Sequence, residues 1–550
     1  MPALPPPAEE QHSQFSHREK LVVIAGLMLG MFLAALEQTI IATALPRMAA
    51  DLGDVEHLSW VVSAYLLTST AVTPIYGKLS DLYGRKLMLQ IAIGIFLLTS
   101  LLCGFATTMG ELIAFRALQG LGGGGLLAMA HATIADIVSP RERGRYQGYI
   151  ASVFATSSVI GPVLGGLFSE HLGWPWIFWI NIPLGLAAIA VSQRALRRLQ
   201  PKRLRRRIDY FGAVLIVSAV TCVLLVTTMG GQQVGWDSPV IIGLAAAALL
   251  LFLVSIWQER RAPEPILPPR LFRDRTYVVV IAVNLLVGMV MLGGLIFLPL
   301  LLQIVYGLPA DQAGLLLIPL SCFTVAGAIT AGRLVARSGR YKIFPLTGFA
   351  IVIVAMLLLA TVDAGTPLWL TALYMGLNGY GIGLVLPVTL VAVQNAVEPR
   401  DIGVGTASVS FFRSMGGSFG VALFGAVLLA RLNHDLGGLP GGAALGMAPG
   451  VDLLHGGAAA LDSLPAALRA EAAAVIAASF HDLFRLGAAI AALALLAVTF
   501  LKEIPLRGGP ALPVSPQVPA DLPAATMAPA GKPPENRPDK RAENKSAAAD

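Results

Sequence analysis

The chain is a succession of long apolar stretches separated by short polar ones. Fourteen such runs can be marked, each of roughly 18 to 28 residues, and each is continuous rather than alternating between apolar and polar positions. Runs of this length match membrane-spanning helices, whereas a membrane β-barrel shows shorter, alternating segments. The pattern predicts helices at residues 21–45, 59–76, 87–106, 111–136, 146–169, 175–193, 209–229, 239–257, 277–303, 312–332, 343–362, 367–393, 403–430 and 482–501.

The composition supports a membrane protein. Hydrophobic residues make up 56% of the 550 residues and charged residues only 13%, with a mean hydropathy of +0.73. A soluble protein carries roughly twice that charged fraction. The three cysteines, Cys103, Cys222 and Cys322, lie inside apolar runs without metal-ligand spacing, so we expect no metal site, no cofactor and no disulfide framework.

The basic residues predict the orientation. If the N-terminus is cytoplasmic, the inner segments hold 33 Lys and Arg residues and the outer segments only four. Such an excess is typical of cytoplasmic loops. We therefore expect a multi-pass protein of the cell inner (cytoplasmic) membrane with both termini cytoplasmic.

An internal repeat indicates two similar halves. Residues 77–85 are similar in sequence to residues 332–340, and residues 140–144 are similar to residues 399–403. Both pairs lie in loops on the same predicted side of the membrane. This predicts two parallel six-helix bundles with two extra helices between them, an architecture of secondary transporters. The predicted segments are a cytoplasmic N-terminal segment (1–20), the first bundle (21–193), a basic linker with the extra helices (194–276), the second bundle (277–505) with an external loop (432–480), and a disordered cytoplasmic tail (506–550). Within the loop, Leu464–Phe480 has helical character and either lies on the membrane surface or caps the outer face.

Five motifs resemble those of the major facilitator superfamily, and in particular its 14-span drug:proton antiporter branch, the EmrB/QacA-like multidrug efflux transporters. They occur in order along residues 20 to 505: LEQTIIATALP at 36–46, GKLSDLYGRK at 77–86, RALQGLG at 116–122, GPVLGG at 161–166 and WIFWINIPLG at 176–185. The branch usually has Asp where this chain has Glu37, which keeps the acid and lengthens its reach.

The resemblance implies the major facilitator fold and a proton-coupled antiporter that exports hydrophobic or cationic drug-like compounds by alternating access. The alternatives are a dedicated exporter of one metabolite or lipid, and a transporter-like receptor without flux. The expected partners are a small-molecule substrate, protons and membrane lipids, in a monomer. The sequence contains no nucleotide-binding domain and no catalytic triad, so we expect neither an ATP-driven pump nor an enzyme. The sequence contains no signal for or against a periplasmic adaptor protein.

Glu37 and Arg116 are the candidate coupling residues. Ionisable groups inside a span are costly and are usually functional. Both lie within spans of the first half, at depths that an extended Arg side chain can bridge. A carboxylate that binds either a proton or this Arg could couple proton movement to transport, and the alternative is a static polar link between helices.

A second group of candidates occupies the loop between the second and third spans. The resemblance implies that Asp81 contacts the start of span 13 and that Arg85 pairs with Asp136, which would close the inner side. The alternative is a basic anchor for the cytoplasmic face. The gating candidates are Gly77, Asp81, Gly84, Arg85, Asp136, Gly161, Pro162, Gly165 and Gly166. The last four, in span 5, predict either a bending or tightly sealed contact between the halves or a simple packing kink.

The remaining candidates are polar or aromatic residues that could line a substrate cavity: Trp60, Tyr65, Asn181, Asn284, Asn378 and Arg413. Arg413 lies near the middle of span 13, where it could pair with Glu37, with backbone carbonyls or with substrate. The basic run Arg194–Arg207 is better explained by contact with anionic lipid than by nucleic-acid binding.

Overall fold

The structure, a computed structural model, describes residues 17–41, 43–53, 57–138, 140–196, 209–230, 234–437 and 466–506. Within these ranges its regular structure is helical and contains no β-strand, as the long apolar runs predicted. The predictions for the N-terminal segment before residue 17, for most of the basic run, for the loop at 438–465 and for the tail after residue 506 lie outside the described residues.

The first six predicted runs correspond to eight helices, since the first and sixth runs are each broken once. The helices are α1 His17–Ile40, α2 Leu45–Leu52, α3 Leu58–Tyr83, α4 Arg85–Gly104, α5 Met109–Ile137, α6 Pro140–His171, α7 Pro175–Trp179 and α8 Asn181–Ala195. The two extra runs form α9 Tyr210–Met229 and α10 Pro239–Arg261.

The second bundle repeats this arrangement, with one break in its second run. Its helices are α11 Arg275–Ile304, α12 Ala310–Leu315, α13 Ile318–Ser338, α14 Ile343–Leu359, α15 Leu368–Ala396, α16 Ile402–Gly437 and α17 Ala466–Thr499.

The described helices include one for each of the fourteen predicted runs. Twelve helical segments in the described part of the chain are long and apolar enough to cross a bilayer, and α14 is apolar but has only 17 residues. The fourteenth is α3, whose 26 residues include many Ser and Thr and are therefore less apolar. The count agrees with the fourteen predicted runs.

Local sequence signals explain where several helices begin and turn. Thr108 caps α5 by accepting a hydrogen bond from the Glu111 amide at 3.2 Å, and Glu111 in turn accepts from the Thr107 amide at 2.9 Å. This is the capping-box arrangement, which satisfies amides that have no partner inside the helix. Gly84 separates α3 from α4 with φ +96°, a backbone conformation that favours glycine and permits the abrupt turn.

Two boundaries differ from the sequence prediction. The helix of the first run stops at Ile40 instead of continuing to residue 45, and the chain resumes in the short helix α2. The segment expected as a separate surface helix is continuous with the last span, because α17 extends from Ala466 to Thr499. Its residues Ile476 and Phe480 are buried in the apolar core of the second bundle, which favours one helix over two.

The two halves have their most extensive contacts along two helix pairs. Helix α3 packs along α16, and α6 packs along α13. Helices α9 and α10 pack against each other, and α9 also contacts α3 and α16. The extra helices therefore lie beside one of the two seams between the halves. The inner side of the protein is defined as the predicted cytoplasmic side, where α3 is connected to α4.

Candidate functional site

Glu37 lies in the last turn of α1 and is held from two sides. Arg116 Nη1 donates to Glu37 Oε1 at 2.5 Å, and Asn181 Nδ2 donates to Glu37 Oε2 at 2.6 Å. The Glu37 side chain is 0% exposed and that of Arg116 is 1% exposed, so the ion pair is sealed from solvent. The structure thus brings together the two residues predicted as a coupling pair, and it adds Asn181, which was expected only in a cavity wall.

Two further polar residues complete the arrangement, and neither was among the predicted site residues. Gln119 Oε1 accepts from Arg116 Nη1 at 2.6 Å, and Gln119 Nε2 donates to Ser100 Oγ at 2.6 Å. Asn181 Nδ2 also lies 3.3 Å from Ser100 Oγ. We call Glu37, Ser100, Arg116, Gln119 and Asn181 the Glu37 network. The spacing of Gln119, three residues after Arg116 on the same helix, could have identified it.

The guanidinium of Arg116 also contacts α3. Its Nε donates to the Val61 carbonyl at 2.9 Å, and its Cζ lies 4.4 Å from the centroid of the Tyr65 ring. A cation over an aromatic face is stabilised electrostatically, more strongly when both are dry. Tyr65 is only 1% exposed, so it supports Arg116 instead of forming an open wall of the expected cavity.

Glycines in α5 permit the close helix packing that places Arg116. A methyl group on Gly120 or Gly124 would overlap the backbone of α3, and one on Gly122 or Gly125 would overlap α4. Small residues allow helix backbones to approach closely. The glycine-rich stretch that follows Arg116 therefore serves helix packing, and it brings Arg116 within reach of α3 and α1.

The burial of Glu37 makes the stability of its ionised form depend on its hydrogen-bond and ion-pair partners. An ionised carboxylate without water is costly unless it is paired and hydrogen-bonded. The position of Glu37 in the last turn of α1 adds to this cost, because the carbonyl end of a helix disfavours negative charge. An ionised Glu37 therefore depends on its contacts with Arg116 and Asn181.

At the inner side, Asp81 joins the two halves. Its carboxylate accepts from the backbone amides of Gly403 at 3.2 Å and Val404 at 3.1 Å, at the start of α16. Arg85 Nη2 lies 2.5 Å from Asp81 Oδ1, and Arg85 Nε donates to Asp136 Oδ2 at 2.8 Å. A carboxylate is favourable at a helix N-terminus because the amides there are unpaired and carry partial positive charge. We call Asp81, Arg85, Asp136 and the first turn of α16 the inner gate.

The predicted glycines fit the inner gate sterically. A Cβ atom on Gly77 would lie 2.6 Å from Ala407 Cβ and 2.8 Å from the Gly403 carbonyl, so only glycine allows α3 and α16 to touch there. Gly84 supplies the turn that places Arg85 beside Asp81.

Two ion pairs near the inner gate had no signal in the sequence, because their members are far apart along the chain. Lys78 Nζ lies 2.8 Å from Glu264 Oε2, with side chains 7% and 14% exposed. Arg270 Nη2 donates to both carboxylate oxygens of Asp401, at 2.7 and 2.8 Å. Glu264 and Arg270 belong to the segment 262–274 between α10 and α11, which we call the strap. One end of the strap is tied to the first half, and the other end to the start of α16.

The other cavity candidates do not form one site. Asn284 and Asn378 are buried in the second bundle, each with an Oδ1 atom that has no hydrogen-bond partner in the described part of the protein. Trp60 is half-buried and packs in an apolar cluster shared by α3 and α9. Arg413 is half-buried on α16, apart from the Glu37 network.

The glycine motif of span 5 packs within the first half. A methyl group on Gly161 would overlap Thr39 of α1, and one on Gly165 would overlap the carbonyl of Ile40, the last residue of α1, and the side chain of Thr43 just after it. A methyl group on Gly166 would meet nothing within 4 Å. The close approach is therefore between α6 and α1, whereas one of the two sequence interpretations put it between the halves. Pro162 lies inside α6, and its side chain is outside the described part of the structure.

Comparison with known proteins identifies the family. The family model for the Major Facilitator Superfamily matches residues 27–207 and 189–421. The chain belongs to this superfamily of membrane transporters, and it is a multi-pass membrane transporter, not an enzyme.

The relatives carry the names of transporters and multidrug resistance proteins. The chain is 38% identical over 489 residues to an uncharacterized MFS-type transporter of Mycobacterium tuberculosis, covering 88% of this chain and 70% of the relative. It is 37% identical over 418 residues to the multidrug transporter protein MdtP of Bacillus subtilis, covering 76% and 77%. It is 35% identical over 434 residues to multidrug resistance protein 3 of the same organism, covering 78% and 84%.

Solved structures agree on the fold. The proton:xylose symporter XylE aligns with a TM-score of 0.58 at 14% identity, covering 89% of this chain and 97% of that chain. The human organic anion transporter MFSD10 aligns with a TM-score of 0.57 at 14% identity, covering 87% and 99%. At this identity the likeness concerns the fold alone.

Proposed function

We propose that this transporter exports hydrophobic, drug-like compounds in exchange for protons, with Glu37 as the proton-binding group. The observation that carries this proposal is the buried Glu37–Arg116 ion pair, 0% and 1% exposed, with Asn181 on the second carboxylate oxygen. A carboxylate in this setting has to exchange one stabilising partner for another, and a proton is the partner that a pH gradient supplies.

The coupling follows from alternating access. The hydrogen bonds of Asp81 with the start of α16 support an inner side that is closed in this conformation. A proton that reaches Glu37 removes the charge that holds Arg116, which frees the Arg116 contacts with Val61 and Gln119 to rearrange. Opening of the inner gate then presents the site to the opposite side, where the proton is released and substrate binds. Repeating this cycle moves substrate outward and protons inward.

The names of the relatives support the substrate class. The B. subtilis relatives carry multidrug names, which favours several hydrophobic compounds over one dedicated metabolite or lipid. Neutral and cationic compounds both fit the expectation from the sequence. A receptor without flux is disfavoured by the buried ion pair, because a static receptor gains little from a costly pair of charges inside the membrane.

We further propose that the protein functions as a monomer in the cytoplasmic membrane with both termini in the cytoplasm. The support for this orientation is the distribution of basic residues, with 33 on predicted inner segments and four on outer ones. A cysteine introduced at Gly450 should react with an impermeant thiol reagent added outside, and one at Gln200 only from inside. Outside labelling at position 200 would contradict this orientation.

The decisive experiment is transport in proteoliposomes with an imposed pH gradient. Purified protein is reconstituted and a panel of fluorescent compounds is offered with and without the gradient. Gradient-driven accumulation of several unrelated compounds supports proton-coupled multidrug export. Accumulation of a single compound would favour the dedicated exporter, and absence of any flux would favour the receptor.

A further inference from the structure

Arg413 is a cation within the spans that neither bundle neutralises. It lies 11 residues after the first residue of α16, or about 16 Å along the helix axis, close to the middle of a hydrocarbon core about 30 Å thick. In the described part of the protein it has no hydrogen-bond or ion-pair partner, and its side chain is half-buried. At this depth an arginine is too far from either surface for its head group to reach bulk water along the helix.

Arg413 lies near the opposite half. His131 of α5 is close enough to interact electrostatically with Arg413, while the backbone carbonyl of Arg413 faces Gly288 of α11. Helix α16 packs against α3 and α5 of the first half as well as α11 of its own half. The guanidinium therefore lies at the surface where the halves meet, which is where transporters of this architecture bind substrate.

The surroundings contain no carboxylate to balance this charge. Helices α11 and α15 contain no Asp or Glu at all. On α3, α5 and α9 the acidic residues lie near the helix ends: Asp81 on α3, Glu111 and Asp136 on α5, and Asp209 at the start of α9. Helix α17 has Glu471 near its start and Asp482 in its middle, and Asp482 is paired with Arg431 and Arg485. Glu37 is on α1 and is already paired with Arg116. Within the described residues, Arg413 is thus a positive charge near the contact between the halves without a carboxylate beside it.

We propose that Arg413 recognises an anionic group on the substrate, so that the preferred compounds are amphipathic anions with an apolar body and a carboxylate, sulfonate or phosphate. This inference rests on the proposed export function and specifies the substrate class of the same transporter. A guanidinium matches such oxyanions with two parallel hydrogen bonds, and the interaction gains strength away from water. A cationic compound would instead be repelled by Arg413 and would find no free carboxylate in its place.

The test compares two dyes that share one apolar body. The anion 1-anilinonaphthalene-8-sulfonate differs from neutral N-phenyl-1-naphthylamine by the sulfonate alone, and ethidium serves as a cation. Binding is measured at equilibrium, without a gradient, for the wild type and for Arg413→Gln and Arg413→Lys in the same lipid. A charged hydrogen bond of the usual strength corresponds to about a tenfold to hundredfold change in affinity.

The wild type should prefer the sulfonate to the neutral dye by about tenfold or more. Arg413→Gln should lose that preference while binding the neutral dye as before, and Arg413→Lys should retain most of it because the charge remains. An unchanged preference in Arg413→Gln, or stronger binding of ethidium than of the sulfonate by the wild type, would overturn the proposal. Loss of binding of all three dyes in both variants would also overturn it, since it would assign Arg413 to the architecture of the bundle.

A transport measurement separates this inference from the proposed function. If the anion preference is present at equilibrium but a pH gradient drives no accumulation of any dye, proton-coupled export fails and the role of Arg413 stands. If a gradient drives export of all three dyes equally and Arg413→Gln changes none of the rates, the role of Arg413 fails and the proposed function stands.

Discussion

Replacing Glu37 by glutamine removes one charge and almost no volume, which makes Glu37→Gln the sharpest test of coupling. The carboxylate now accepts from Arg116 at 2.5 Å and from Asn181 at 2.6 Å. A glutamine carbonyl can still accept from Arg116. Its amide would face the donor of Asn181, but Asn181 Oδ1 has no partner, so the Asn181 side chain can flip and accept instead. The hydrogen-bond geometry of the network should therefore survive.

The substitution destabilises the protein mainly because Arg116 loses its negatively charged partner. Removing one partner of a buried ion pair costs about 3–5 kcal/mol when the remaining charge is left without compensation. Here the Gln119 carbonyl, the Val61 carbonyl and the Tyr65 ring still surround the guanidinium. The loss of folding free energy should therefore be smaller than that range. The variant should insert and fold, with a lower melting temperature.

The effect on transport should be specific. A one-for-one exchange of a neutral substrate with protons can sustain about a tenfold concentration ratio for each pH unit, since one unit corresponds to about 1.4 kcal/mol. Glu37→Gln has no titrating group at this position, so the ratio should fall to one. Downhill exchange of substrate should persist, because the shape of the network is retained.

The assay is accumulation of a fluorescent substrate in proteoliposomes across an imposed pH step, with counterflow in the absence of a gradient as the control for folding. Glu37→Asp retains a carboxylate that lies farther from Arg116 and should keep part of the accumulation. Arg116→Ala should impair both accumulation and counterflow, because it leaves Glu37 buried without its cation. Wild-type accumulation by Glu37→Gln would refute the assignment, and Asp136 would become the next candidate.

Three further substitutions test the parts around this site. Asp81→Asn removes the charge at the start of α16, an interaction of about 0.3–1 kcal/mol when exposed and more when buried, so a thiol probe on the inner side of the cavity should react faster. Lys78→Met should have a similar but smaller effect by releasing the strap, and the charge-swapped double variant Lys78→Glu with Glu264→Lys should recover slow labelling. Gly165→Val should lower thermal stability and transport through its overlap with α1, whereas Gly166→Val, which meets nothing within 4 Å, should leave both near wild type. Equal effects of the two glycine substitutions would refute the packing argument.

The sequence predicts the spans and the pairing of Glu37 with Arg116 because both depend on local properties of the chain, whereas other features depend on tertiary packing. Helix length and apolarity are local properties, so the fourteen crossings follow from the chain itself. Glu37 and Arg116 stand out because charges inside spans are rare and costly. The uncharged Ser100 carries no such signal, since single polar residues in spans are common, whereas Gln119 could be identified only through its spacing from Arg116. The break after Ile40 and the continuity of α17 depend on tertiary packing, which local apolarity does not encode.

Helix α3 offers a physical route between the coupling pair and the inner gate. Near its outer end, the Val61 carbonyl and the Tyr65 ring hold Arg116, and at its inner end Asp81 holds the first turn of α16. A change in the pairing of Arg116 and a change in the position of α16 therefore act on the same helix. Pro74 interrupts the hydrogen-bond ladder of α3 between these two ends, so the helix is more easily bent there than a continuous one. Coupling through α3 requires that the two ends move together despite this proline, and the packing of its middle turns against the glycines of α5 supplies that constraint.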